Sequence, residues 1–144
     1  MPRPSMRDNA QDFLGGTHVY KIGAANTTAA TVVAAAGAGF YIRVKAFRCI
    51  ITSANAADTV TNDFWFSDGA STALLAIGGI SAIDLTAGTV QVPPYDTGMV
   101  ILPGFGVRGS ANTALTIDAT ATDANLKYQL DVWYDVVNAN GDVQ

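Results

Sequence analysis

The sequence predicts an all-β protein: an antiparallel β-sandwich, jelly-roll-like, with an extended N-terminal arm. Three observations lead there. Short β-type segments follow one another from Thr17 to Val137, each closed by a Gly, Pro, Asn or Asp turn signal. No segment sustains the 3.6-residue apolar period of an amphipathic helix. The chain is rich in Thr, Val, Gly and Asp and contains no glutamate, a mixture that suits pleated surfaces and tight turns.

In chain order, residues 1–16 carry two prolines, Arg3, Arg7, Asp8 and Asp12, with Phe13 and Leu14 as the sizeable apolar pair before Gly15-Gly16. They read as an arm whose Phe13-Leu14 anchor docks on a neighbour; a frayed terminus is the plainer alternative. The sandwich is expected over residues 17–138, with 139–144 as a C-terminal tail. "THVYKIG" and "ATVVAAA" are its first strands. "FYIRVKAFRCIIT" places Phe40, Ile42, Val44 and Ala46 on one face but Phe47, Cys49 and Ile51 on the other. A strand cannot change its buried face without a bulge, so an irregularity is expected near Ala46 and Phe47.

"TVTNDFWFSDG" stops at Asp68-Gly69, a hairpin-type turn. "STALLAIGG" and "ISAIDLTAG" are weaker, Gly-bounded segments. The paired prolines of "TVQVPPY" mark a strand end or an edge. "MVILPGFGVRGS" closes on glycines, and "ALTIDATAT" alternates cleanly. Last comes "LKYQLDVWYDVV", with Leu126, Tyr128, Leu130, Val132, Tyr134 and Val136 on one face. Lys127, Gln129, Asp131, Trp133 and Asp135 fall on the other.

Composition narrows the function classes. The 144 residues fit one domain that needs no metal or disulfide. A net charge of −4 with eight scattered Lys and Arg argues against nucleic-acid binding. Arg43, Lys45 and Arg48 read as a solvated strand face. The longest low-polarity run, "VVAAAGAGFYI", is too short to span a bilayer, and the first sixteen residues lack the apolar stretch of a signal peptide, so a soluble product made in the cytoplasm is expected. Cys49, flanked by apolar residues, reads as a buried, inert thiol.

No reaction centre is legible. His18 is the one histidine, no Gly-x-Ser-x-Gly elbow is present, and no Walker lysine follows the Gly-rich "GFGVRG". The expectation is a non-enzyme without cofactor or metal. Calcium stays open at the turn aspartates Asp58, Asp63, Asp68, Asp118 and Asp123, although none has EF-hand spacing. Trp65 and Trp133 both project opposite to the apolar set of their own strands. Two such rings suggest a surface covered by a partner; cover by loops of the same chain and stacking on a sugar are the alternatives.

The stretch "ATVVAAAGAGFYIRVKAFRCIITSANAADTVTNDFWFSDG" resembles a pattern found in small structural proteins of tailed bacteriophages. There an Ala/Gly-rich lead enters an "I-R-V" strand, and a small-residue turn precedes a strand ending near Asp-Gly. "QVPPYDTGMVILPGFGVRGSANTALTIDATATDANLKYQLDVWY" is similar to the remainder, ending in a "Y-x-L-x-V-x-Y" strand. The resemblance runs from about Ala29 to Val137 and leaves out the arm. It implies a head decoration (cement) protein with a jelly-roll-like fold, located on the virion surface. Such a protein would bind the outer capsid as a homotrimer and stabilise contacts between major capsid subunits. It implies no catalytic residue, no cofactor, no nucleic acid and no membrane. Trp65, Trp133, Phe13, Leu14, Arg3 and Arg7 are the expected contact residues. A head-fibre or tail-associated receptor-binding module that holds glycans is the alternative, and a small hydrolase centred on His18 is a third reading.

Overall fold

The computed structural model describes residues 15–53, 62–69, 72–80, 95–104 and 106–144. Ten strands and no helix make up the described residues: β1 Thr17–Ala25, β2 Ala30–Val33, β3 Tyr41–Ser53, β4 Asn62–Asp68 and β5 Thr72–Ile80. The short β6 Tyr95–Asp96, β7 Val100–Ile101 and β8 Val107–Arg108 are followed by β9 Leu115–Ala119 and β10 Asp123–Val137. They form two antiparallel sheets. Sheet A runs β1-β10-β3-β6, with β7 and β8 also pairing along β3; sheet B runs β2-β9-β4-β5. If β6, β7 and β8 count as one interrupted strand, eight strands in the orders 1-8-3-6 and 2-7-4-5 remain, which is the double-sheet jelly roll. The all-β sandwich expected from the sequence is the fold observed.

Alternation decides what lies between the sheets. Leu126, Tyr128, Leu130 and Val132 of β10 face the core opposite Ser53, Ile51, Cys49 and Phe47 of β3. Phe64 and Phe66 enter from β4, and Leu115 and Ile117 from β9. Rings join the two layers edge to face: Phe47 meets Phe66 at 5.4 Å between centroids, and Phe64 meets Tyr128 at 6.0 Å. Such contacts add to the area term that drives the sheets together. Burial pushes the Tyr128 hydroxyl pKa up. Gly23 lies opposite Tyr128, and a Cβ there would collide with the phenol ring, so close packing of β1 on β10 requires glycine.

The expected phase change in β3 falls at Lys45. Trp133 pairs with Ala46 but Tyr134 pairs with Val44, so Lys45 is an extra residue in β3. Below it Ile42 and Val44 face inward; above it Phe47, Cys49 and Ile51 do. Gly106 makes that close crossing possible. Its φ is +88°, and a Cβ would strike the Val44 carbonyl.

"GFGVRG", which the sequence suggested to be a turn, supplies Gly104 and Gly106 to the connection after β7, while its Val107 and Arg108 form β8; residue 105 lies outside the described set. The segment "ISAIDLTAG" beyond Ile80 and most of "TVQVPPY" also lie outside it. "ATVVAAA" forms a strand for only its first four residues.

After β10 the chain folds back. Asn138 Oδ1 accepts the backbone N–H groups of Asn140 and Asp142, and Val143 bridges to Val137. Residues 139–144 are thus pinned against the sheet end, where the sequence suggested only a tail.

Candidate interaction surfaces

The candidate side chains among the described residues are carried on the outer faces of the two sheets. On sheet A one cross-strand row reads His18–Trp133–Ala46–Ile101, and the next reads Tyr20–Asp131–Arg48. Ala46 leaves room beside the indole, and the His18 ring lies tilted over it with centroids 4.8 Å apart. His18 Nε2 meets Asp131 Oδ1 at 2.8 Å, which fixes the imidazole in that place. Trp133 is consequently 2% exposed. The expectation is that a second chain covers this outward ring; within the protomer His18 already covers it. Its parity is the outer face, as read from the alternation, but the protomer buries the ring itself. The indole Nε1 has no hydrogen-bond partner among the described residues.

The basic trio of β3 is likewise ion-paired, and only Arg48 sits on a solvated face. Asp135, almost fully buried, takes Arg43 Nη2 at 2.9 Å on one oxygen and Lys45 Nζ at 3.3 Å on the other. Arg48 grips Asp96 through Nε at 3.1 Å and Nη2 at 2.6 Å. That hydrogen bond, with the Gly98 backbone N–H, holds the Asp96 carboxyl down at about 2 and raises the Arg48 guanidinium.

At the end of this face Arg43, Gly106, Arg108, Val137, Asn140 and Gly141 line a cleft of about 310 Å³. Arg108 packs its guanidinium 4.4 Å from the Tyr41 ring centroid and donates to the Ala139 carbonyl.

Sheet B presents a different outer face. Trp65 stands opposite Asp118, and Ser67 opposite Thr116. The Ser67 and Thr116 hydroxyls are 2.7 Å apart, and Ser67 Oγ also donates to Asp118. All three are buried, while Trp65 is half-buried and keeps an open flank. Asp118 lies near the end of β9, just before the turn at Thr120.

The other aspartates act locally. Asp68 accepts the Ser110 N–H at 3.0 Å, and Asp123 accepts the Asn125 N–H. No group of three or more His, Cys, Asp or Glu able to hold a metal occurs among the described residues. Cys49 is fully buried, and burial pushes its thiol up to about 12.

Of the six expected contact residues, Trp65 and Trp133 are placed on opposite sheets. Arg3, Arg7, Phe13 and Leu14 lie outside the described residues, as does Asp58.

Four apolar side chains that sequence reading passed over stand out on sheet A: Tyr20 and Ile22 on β1, and Met99 and Ile101 at the far margin. Ile22 is 59% exposed and Ile101 57%. Tyr20 and Ile22 sit at positions of regular alternation in β1, so for them the signal was present. Ile22 follows Tyr20 on the face of β1 opposite Val19.

No family model matches the chain, and no curated protein does. Among solved structures, a pentameric capsid protein isolated from metagenomic phage sequences is similar at 19% identity, over 100% of this chain and 84% of that one, with a TM-score of 0.42.

Proposed function

We propose that the chain is a structural protein of a bacteriophage head: a decoration (cement) protein that self-associates, with a homotrimer as the expected form, and clamps neighbouring major capsid subunits. The observation that carries this reading is a coincidence of pattern and structure. Segments that resemble phage structural proteins are the sandwich strands themselves. The "I-R-V" of residues 42–44 lies in β3, and "Y-x-L-x-V-x-Y" of residues 128–134 is its neighbour β10. The jelly roll is shared by capsid proteins, lectins and cupins, so the fold is compatible with the role without specifying it.

Exposed aliphatics on sheet A favour adhesion, since large apolar side chains rarely stay in water in groups without use. Many weak contacts acting together would hold capsid subunits against outward pressure. In this reading Trp65 and the arm residues Arg3, Arg7, Phe13 and Leu14 touch the shell or a sister copy.

The test is co-sedimentation of purified protein with expanded, undecorated phage heads. Saturable binding that protects the heads against heat supports the role, and absence of binding refutes it. One observation favours a second reading, a glycan-binding module: the Trp65 ring, on the outer parity of sheet B, is only half-buried. A glycan array separates the two, because a cement protein leaves it blank.

A further inference from the structure

Where the C-terminal fold-back meets sheet A, positive charge outnumbers negative on a chain whose net charge is −4. Of the three arginines among the described residues, Arg43 and Arg48 each meet a carboxylate, and Arg108 alone has none within ion-pair distance. Register sets Arg108 directly opposite Arg43 across the β3–β8 pairing, where like charges repel. Arg43 shares the Asp135 carboxylate with Lys45 and so brings no spare negative charge to its neighbour. Asp142, the acid of the fold-back, accepts Asn138 Nδ2 at 3.0 Å and does not line the cleft.

We propose that the cleft between Arg43 and Arg108 is a binding site for a carboxylate carried on a short aliphatic stem, either a free short-chain acid or a glutamate side chain of another polypeptide. Two guanidiniums supply forked N–H donors that match a planar carboxylate. The Tyr41 ring, 4.4 Å from the Arg108 guanidinium, and the Ala139 carbonyl, which accepts its Nη1 at 3.2 Å, hold that donor in place before a ligand arrives. The site goes beyond the capsid role and does not depend on it.

Size and lining select the stem. The cleft of about 310 Å³ is small for a ligand pocket but larger than a bare carboxylate needs. Val137, Gly106 and Gly141 give it carbon-lined walls, which favour a methylene stem over a fully hydrated phosphate of similar charge. Those walls are held by the backbone. The Asn138 N–H donates to the Asp142 carbonyl and the Gly141 N–H to the Asn138 carbonyl, both at 3.0 Å. Arg43 Nη1 reaches the Gly141 carbonyl at 3.5 Å, which ties the fold-back to the cationic floor. Asn140 completes the rim, and its side-chain amide is a further donor for a carboxylate oxygen.

The experiment follows the backbone amide resonances of the isotope-labelled full chain during titration with sodium butyrate. Butyramide, sodium chloride and inorganic phosphate at equal concentration are the controls. Butyrate should give saturable shifts centred on Gly106, Arg108, Asn140 and Gly141, whereas the neutral amide and chloride give none and phosphate binds more weakly. Arg108→Gln, at an exposed position, should keep the wild-type melting profile and weaken butyrate binding about tenfold or more. Asn140→Asp is the second variant: it sets a carboxylate on the rim that should compete with butyrate and weaken binding likewise. A blocked Gly-Glu-Gly tripeptide, against Gly-Gln-Gly, separates the sources. Saturation by the glutamyl peptide identifies a polypeptide side chain, saturation by butyrate alone a free acid, and either supports the site. The proposal is overturned by butyrate shifts no larger than those in chloride, by an equal response to butyramide, or by phosphate binding as tightly as butyrate. Butyrate affinity that neither variant changes overturns it as well.

Discussion

Trp65 and Trp133 occupy equivalent places on the two outer faces of the sandwich, yet their surroundings differ. Trp133 belongs to a charged face. His18 lies over it, Asp131 holds His18, and one strand turn away Asp135 anchors Arg43 and Lys45. Trp65 belongs to a face of hydroxyls and alanine, with Ser67, Thr116 and Asp118 beside it and Ala76 opposite. Strand parity sets the side of the sheet a ring takes. The size and chemistry of its cross-strand neighbours set whether it is dry. Ala46 and an imidazole can close over an indole; a row of small side chains leaves its flank open.

The sharpest way to break this contrast is to delete each ring. Trp133→Ala should cost about 3–5 kcal/mol in urea unfolding, as for a buried aromatic. Trp65→Ala should cost less than half as much, because part of its area is already wet. Equal losses would erase the distinction between the two faces.

Next in size are the two buried aspartates. Asp135→Ala leaves Arg43 and Lys45 without their shared carboxylate and should cost about 2–4 kcal/mol. Asp118→Asn keeps an acceptor near Ser67 and should cost about 1 kcal/mol. The same denaturation series reads both, and 1 M salt should shrink only the first difference.

The smallest effect concerns acid. The Asp96 carboxyl is held at about 2 by Arg48 and the Gly98 N–H, below the ordinary carboxylate value near 4. A lowered folded pKa means that the stabilisation is complete above about 4 and is lost as the pH falls through about 2. The pair is solvent-exposed, so the amount stays under about 1 kcal/mol. Asp96→Asn should lower stability at pH 7 by up to that amount, leave pH 2 and below nearly unchanged, and so flatten the stability profile between pH 4 and 2.

Much of the fold could be read from local pattern. Clean alternation placed β9 and β10, the shift of apolar phase located the bulge at Lys45 within a residue or two, and Gly-rich punctuation marked the turn at Gly106. Pairing between distant segments could not be read. Nothing local says that β1 lies beside β10, and it is that pairing which brings His18 over Trp133. The burial of Arg43 and Lys45 escaped for the same reason. A run of basic residues on an alternating strand looks solvated until an aspartate some ninety residues later arrives next to it. The exposed aliphatics were missed through a habit of reading apolar as inward. In β1, Val19 and Ile22 sit on opposite faces, and the contrast between Ile22 and its polar neighbour Gln129 needed the register to be seen.

The strand order has a consequence for biosynthesis. The last two strands, β9 and β10, occupy the middle of their sheets, with β10 between β1 and β3 and β9 between β2 and β4. A nascent polypeptide emerging in order from the ribosome therefore cannot join β2 to β4 until β9 is out, nor β1 to β3 until β10 is out. Apart from the β4–β5 hairpin, the pairings span long stretches of chain, which makes for slow folding.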